Sequence, residues 1–141
     1  MPEVTDRHAR NRRIIEEFRA NAGKVGPPFE GRPMLLLHTV GRKTGQPRIN
    51  PLVYLADGDR YVIIASKGGA PRDPQWYRNL VANPDVEIEV GTRTIPVKAV
   101  EVTGAERDEL YARQAAIMPA FAQYQQRAGR VIPVIALEPV S

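Results

Sequence analysis

Three apolar runs, at residues 34–40, 49–56 and 60–65, follow one another with only a few residues between them. Each is too short for a good helix and rich in branched aliphatic residues, so each reads as a buried strand. Strands joined by short turns run antiparallel, because a parallel return needs a crossover of a dozen residues or more. This spacing excludes an alternating βα parallel sheet and points to a small antiparallel barrel. The later chain agrees. Asp85, Glu87 and Glu89 alternate with Val86, Ile88 and Val90, which marks a strand with one wet face. Gly91-Thr92 turns that strand into another at residues 93–102, and a last one spans 131–139. The expectation is a mainly β chain of about six antiparallel strands with added helices.

Four helices are expected beside them. Ile14, Ile15, Phe18 and Ala22 make one stripe of a 3.6 period over residues 5–22. Around the stripe stand Arg7, Arg10, Arg12, Arg13 and Arg19. Such a helix packs on the body of the domain, or it makes peripheral contact with a membrane or covers a pocket. Gly23-Lys24-Val25-Gly26-Pro27-Pro28 breaks it. Residues 1–25 therefore read as an amphipathic helix and linker, and 26–141 as the barrel. Asp73 before Pro74 is expected to cap a short helix ending near Ala82. Thr103-Gly104-Ala105-Glu106 has the spacing of a capping box, opening a helix to about Ile117, and Pro119 starts another to about Arg127.

With 141 residues the chain has room for one domain with a proper core. It contains no cysteine, which excludes disulfides and thiol catalysis and fits the cytoplasm. Two histidines, His8 and His38, make a multi-histidine metal site a poor reading. The N-terminus lacks the apolar core of a signal peptide, and no apolar run is long enough to span a bilayer. A cytoplasmic protein is expected, with membrane association left open through the first helix.

Charge is uneven in a way that matters for function. Arg32, Arg42, Lys43, Arg48, Arg60, Lys67, Arg72 and Arg78 face only Asp57, Asp59 and Asp73 in the same window. That window carries +5, whereas the whole protein carries +4. The basic excess belongs to one surface, which fits a local anionic ligand better than general nucleic-acid binding. Single-stranded nucleic acid would need exposed aromatics among the cations, and only 6% of the chain is aromatic. Within the window, Gly41-Arg42-Lys43-Thr44-Gly45-Gln46-Pro47-Arg48 joins the first two strands. Glycines at 41 and 45 permit positive φ, so successive backbone N–H groups are expected to point the same way. Arg42, Lys43 and Arg48 add charge and Thr44 a hydroxyl, which suits a phosphate or carboxylate. Arg42 stands directly before Lys43 where a Walker A loop has glycine, so the turn is not that motif.

A second constellation follows the third strand. Ser66-Lys67-Gly68-Gly69 offers a hydroxyl, a cation and a backbone that a flat or charged ligand can approach closely. Trp76 and Asn79, three apart on the next helix, share a face. They read either as an aromatic wall with an amide for a heteroaromatic ring, or as a core plug beside an exposed polar residue.

Together, Gly41-Arg42-Lys43-Thr44-Gly45, Asn50-Pro51-Leu52, Ala65-Ser66-Lys67-Gly68-Gly69 and Trp76-Tyr77-x-Asn79-Leu80 resemble the deazaflavin-dependent nitroreductase family over roughly residues 30–139. The resemblance implies a split β-barrel of the flavin-binding type. It implies coenzyme F420, an 8-hydroxy-5-deazaflavin with a phosphate and a polyglutamate tail, and reduction of a quinone-like acceptor by hydride from F420H2. The cofactor residues implied are Arg42, Lys43, Thr44, Arg48, Ile49, Asn50, Pro51, Leu52, Val53, Ile64, Ala65, Ser66, Lys67, Gln75, Trp76, Tyr77, Arg78 and Asn79. By the same analogy Ser66 hydrogen-bonds the ring or substrate and Tyr124 orients the acceptor. The substrate pocket falls on Val53, Met118, Phe121 and Tyr124. The family's nitroreductase carries more phenols there, so nitroimidazole reduction is expected to be weak or absent. An FMN-dependent reductase on the same barrel and a non-catalytic F420 carrier are the alternatives. A monomer or weak homodimer is expected, with no metal.

Overall fold

The computed structural model describes residues 2–26 and 29–140. Pro27 and Pro28 of the expected linker lie outside the described residues. Seven strands form one antiparallel sheet: β1 Met34–Val40, β2 Pro47–Val53, β3 Leu55–Asp57, β4 Arg60–Ile64, β5 Asp85–Val90, β6 Arg93–Val102 and β7 Val134–Pro139. Their order across the sheet is β2-β1-β5-β6-β7-β4-β3. The helices are α1 Pro2–Ala20, α2 Gln75–Ala82, α3 Gly104–Ile117 and α4 Ala120–Ala128.

The run expected as a single second strand is two. Pro47–Val53 pairs with β1, Met34 opposite Val53, whereas Leu55–Asp57 pairs with β4. Only Tyr54 separates them, and its N–H donates to Pro33 O at 3.1 Å. β2 and β3 are the two edges of the sheet, yet they are neighbours in the chain. The sheet therefore curls until its ends meet at Tyr54, which makes it a split β-barrel. Pro47 and Pro51 lie on β2, where an edge strand tolerates the missing N–H and is protected by it from pairing with another chain.

Strand alternation sorts the core into faces. Leu35, Leu37, Ile63, Ile135 and Leu137 point to one side, where Trp76 and Leu80 of α2 fill the interior. Their neighbours Val62, Val134 and Ala136 point to the other side, covered by Leu110 and Tyr111 of α3 and Phe121 of α4. Met34 and Leu36 meet α1 through Phe18, which is fully buried, with Ile14 and Ile15 packed alongside. The apolar stripe of α1 thus faces the sheet, which removes those side chains from any lipid-facing role. Ala22 falls past the helix end, exposed and at φ 56. Arg19 fastens the helix through two hydrogen bonds to Glu89, at 3.1 and 2.7 Å, and His38 Nε2 donates to the same carboxylate at 2.6 Å. No helix among the described residues is long and apolar enough to cross a membrane.

Two expected caps are absent. α2 begins after Pro74 with no side-chain cap, because the Asp73 carboxylate is engaged by Arg130 Nη1 at 2.7 Å. Thr103 makes no side-chain cap to α3, and Glu106 of the expected box lies near Arg60 Nη2 instead, at 3.5 Å. The last strand begins at Val134 rather than Val131, which is among the most exposed apolar residues.

Candidate active site

The basic turn 41–46 and the start of β2 line a cavity of about 280 Å³ with Gly41, Arg42, Lys43, Thr44, Arg48, Gln75 and Asn79. Arg42, Lys43 and Arg48 are exposed, and among the described residues none of them is in a salt bridge. Arg42 Nη1 donates to Gln75 Oε1 at 2.8 Å, which ties the turn to the first residue of α2. Three cations held together without a carboxylate raise the local potential and favour a polyanion.

Part of the turn's backbone, expected as an anion cradle, is taken up by internal hydrogen bonds. Gly41 N donates to Gln46 O, Gly45 N to Gly41 O, and Gln46 N to the Thr44 hydroxyl. Arg42 N donates to Asn79 Oδ1 at 3.2 Å. Only Gly45 has positive φ; a Cβ at Gly41 would instead meet Thr44 Oγ1 at 2.6 Å, so glycine there makes room for the hydroxyl. Asn79 is 5% exposed and its Nδ2 donates to Thr39 Oγ1 at 3.3 Å. It is neither an exposed residue nor a free ring amide but the buried pin between turn, β1 and α2.

After β4 the chain enters a short 3₁₀ turn at Lys67–Gly69. Arg130 clamps this loop. Its Nε donates to Ala70 O at 3.2 Å, and Nη2 to Ala65 O, Ser66 O and Arg72 O at 3.2, 3.4 and 2.9 Å, besides the Asp73 bond. Lys67 is held at φ 48, a left-handed conformation that a non-glycine residue rarely adopts. Gly69 was expected to let a ligand approach. A Cβ there would meet Tyr124 Cα at 3.1 Å, so its close approach is to α4. That contact brings Tyr124 to the Ser66 loop. Ser66 is buried, and its side chain makes no cap to the 3₁₀ turn. Tyr124 packs edge-on against Phe121, with ring centroids 5.1 Å apart, and Phe121 against Tyr111.

A larger cavity of about 470 Å³ opens at the far end of β2. Val53, Tyr54, Leu55 and Ala56 form one wall, and Gln114, Ala116, Ile117 and Met118 form the other. From Arg48, which lines one cavity, to Val53, which lines the other, the strand rises about 17 Å. Asn50, Pro51 and Leu52 lie between them, half-buried and paired with Leu37, Leu36 and Leu35.

The expected site residues divide accordingly. Arg42, Lys43, Thr44, Arg48, Gln75 and Asn79 meet at the cationic corner. Val53 and Met118 line the apolar cavity, while Phe121 is 5% exposed and packs in the core. Trp76, at 7% exposed, belongs to the interior cluster with Leu35 and Leu37, which favours its reading as a plug. The Tyr77 hydroxyl donates to Glu101 at 2.5 Å, and burial together with that carboxylate pushes its pKa up to about 12. Near neutrality it stays a neutral phenol.

Residues 10–139 match the profile of the F420H(2)-dependent quinone reductase family. The chain belongs to that family. An F420H(2)-dependent quinone reductase of Mycobacterium tuberculosis is 48% identical over 126 residues, spanning 85% of this chain and 83% of its own. Among solved structures, an F420H2-dependent reductase is 38% identical, with a TM-score of 0.69, covering 76% of this chain and 95% of its own. A second, described as a domain-swapped dimer, is 33% identical with a TM-score of 0.71, covering 98% and 100%.

Coenzyme F420 is the cofactor of this quinone reductase family, and the donor set fits it. A phosphate and several glutamates need more cations than one phosphate does, and the corner provides them without competing carboxylates. The sequence reading missed Arg130 and Gln114. The glycine at 129, at φ 66, marks the end of α4 and was a signal for a turn, but not for where the next side chain points.

Proposed function

We propose that this chain is an F420H2-dependent quinone reductase in which Arg42, Lys43 and Arg48 hold the phosphate and glutamates and the apolar cavity beyond Val53 receives the acceptor. When bound, F420H2 supplies a hydride, and with one proton from solvent a quinone becomes its hydroquinone. The remaining work belongs to the protein. Lys67 adds a cation beside the buried Ser66 hydroxyl, which hydrogen-bonds the ring or the acceptor. Tyr124 orients the acceptor from α4. Ile49, Asn50, Pro51, Leu52, Ile64 and Ala65 form the wall along which the flat ring rests, and Arg78, exposed on α2, reaches the tail. Trp76 and Tyr77 support that wall from behind rather than touching the ring.

The observation that carries this reading is the pairing of two unlike cavities at opposite ends of one edge strand. One is cationic and holds no carboxylate among its lining residues; the other is apolar. A ligand with a polyanionic tail and a flat ring suits the first, and a hydrophobic quinone suits the second. Nitroimidazoles are poor acceptors on this reading. Val53, Met118 and Phe121 offer no hydroxyl for the charge that develops on a nitro group.

The experiment follows oxidation of F420H2 by menadione in steady state, with FMN and reduced FMN as the comparison. Turnover with F420H2 and none with the flavin is expected. Turnover with the flavin alone would make the chain an FMN reductase. Tight F420 binding without oxidation by any quinone would make it a carrier.

A further inference from the structure

Gln114 lies on α3 in the wall of the apolar cavity and is 4% exposed. A buried carboxamide is costly unless its hydrogen bonds are made. Here Nε2 donates only to Met118 Sδ, at 3.3 Å, and a thioether is a weak acceptor. No hydrogen bond to Oε1 is found among the described residues, and since no fully buried side-chain oxygen or nitrogen there lacks a partner, Oε1 keeps some access to open space. Around it Val53, Leu55, Ala116, Ile117 and Met118 are apolar, and the other lining residues with polar groups are Tyr54, Arg32 and Arg113.

Of the two cations at the rim, Arg113 is paired with a carboxylate and Arg32 meets only a backbone carbonyl. Arg113 donates to Asp57 Oδ1 at 2.9 Å and Ala56 O at 3.2 Å, and Arg32 to Ile117 O at 3.4 Å. The rest of the cavity lining is mostly apolar. It suits a neutral, mostly apolar molecule that presents one hydrogen-bond acceptor at the depth of Gln114. A quinone has that form, with a flat hydrocarbon body and carbonyl oxygens on its ring.

We propose that Gln114 is a specificity-determining residue, donating from Nε2 to a carbonyl oxygen of the quinone and giving up the Met118 sulfur for it. The proposal rests on the quinone reductase reading and adds to it the group that distinguishes a quinone from a plain hydrocarbon. Exchange of a weak acceptor for a strong one makes the bond favourable only when the carbonyl is present. A site built this way discriminates against molecules that leave the amide unpaired.

The test uses the F420-loaded enzyme with menadione as probe and two variants. Gln114→Leu removes the donor. Ile117→Trp fills the cavity from its exposed side, at a residue 52% exposed, and leaves the amide in place. Three quantities are read: KM and kcat for menadione, the F420 dissociation constant, and menadione binding by equilibrium dialysis to enzyme holding oxidised F420. In that last complex no electrons can pass. Gln114→Leu is expected to raise KM and the dialysis constant about tenfold, to change kcat less, and to leave F420 affinity unaltered. In the wild type the carbonyl stretch of bound menadione is expected to fall relative to free quinone, and in Gln114→Leu that shift should vanish. Ile117→Trp should weaken menadione binding by a similar factor.

A folded Gln114→Leu protein that binds menadione as the wild type does overturns the proposal and leaves the quinone reductase reading standing. Were Gln114→Leu not to fold, unchanged menadione binding in Ile117→Trp would overturn it by itself. A wild type that does not oxidise F420H2 with menadione overturns the reading and this proposal together.

Discussion

Arg42 and Lys43 are exposed side chains whose charge no carboxylate among the described residues balances. If they hold the tail of F420, Arg42→Ala and Lys43→Ala should each weaken cofactor binding by about 1–3 kcal/mol. The loss should shrink as salt is raised, because screening already weakens the wild type. Fluorescence titration across a salt series measures both effects. Arg130 is placed differently, since its hydrogen bonds go to the 65–73 loop. Its guanidinium bonds four backbone carbonyls and Asp73, a planar fork that lysine cannot reproduce. Arg130→Lys should therefore lower kcat more than it raises the KM for cofactor, by loosening Ser66 while leaving the cationic corner intact. A larger effect on F420 affinity than on kcat would contradict that role. The contrast shows what a sequence can tell at this scale. Clustered cations on a turn between two strands are visible as a pattern. A residue whose value lies in reaching carbonyls some sixty positions earlier is visible only in the fold, as is a glutamine that donates to a sulfur.

At the scale of elements, α1 and β2 carry the two main differences from expectation. Periodicity found Ile14, Ile15 and Phe18 of the α1 stripe, though not the helix end before Ala22, but could not tell lipid from protein, because either one accepts an apolar face. Phe18 decides it, being fully buried against Met34 and Leu36. Phe18→Ala should cost about 3–5 kcal/mol, read as a lower urea midpoint, and deletion of residues 1–25 should destabilise the barrel. A deletion as stable as the full chain would return the helix to a separate role. Glu89 holds the same helix, and the hydrogen bond from Arg19 first, then that from His38, keeps its carboxylate pKa below the usual range. A depressed folded pKa contributes stability that is complete above the ordinary glutamate value, about 4.3, and is lost as pH falls through the folded value. Glu89→Gln should thus be less stable than wild type near neutrality, with the gap closing on acidification below pH 4. Urea midpoints along that pH series test the sign. In β2 the hydrophobic pattern runs on unbroken through Tyr54, so the change of partner from β1 to β4 had no signal in the alternation. It follows from closure of the sheet, which local sequence does not encode.

Across the whole molecule, one edge strand joins a cationic corner to an apolar cavity, and the proposed chemistry needs both. The antiparallel barrel was legible because short turns between strands leave few topologies. Which face each cavity opens on was not, because that depends on how the sheet curls. The acceptor end gives one prediction of its own: the wild type should oxidise F420H2 with menadione and hardly at all with a bicyclic nitroimidazole. Val53→Tyr with Met118→Tyr should raise nitroreduction by restoring hydroxyls, as steady-state comparison of the two acceptors would show. Efficient nitroimidazole turnover by the wild type would make those phenols dispensable. The cofactor end bears the central claim, that side chains of the 41–48 turn bind the anionic tail. It is tested most directly by titrating the protein with F420 and with the same deazaflavin lacking its phosphate and glutamates, at low and high salt. The account predicts that F420 binds at least tenfold tighter at low salt and that the difference narrows at high salt. Equal affinities for the two at low salt would contradict it.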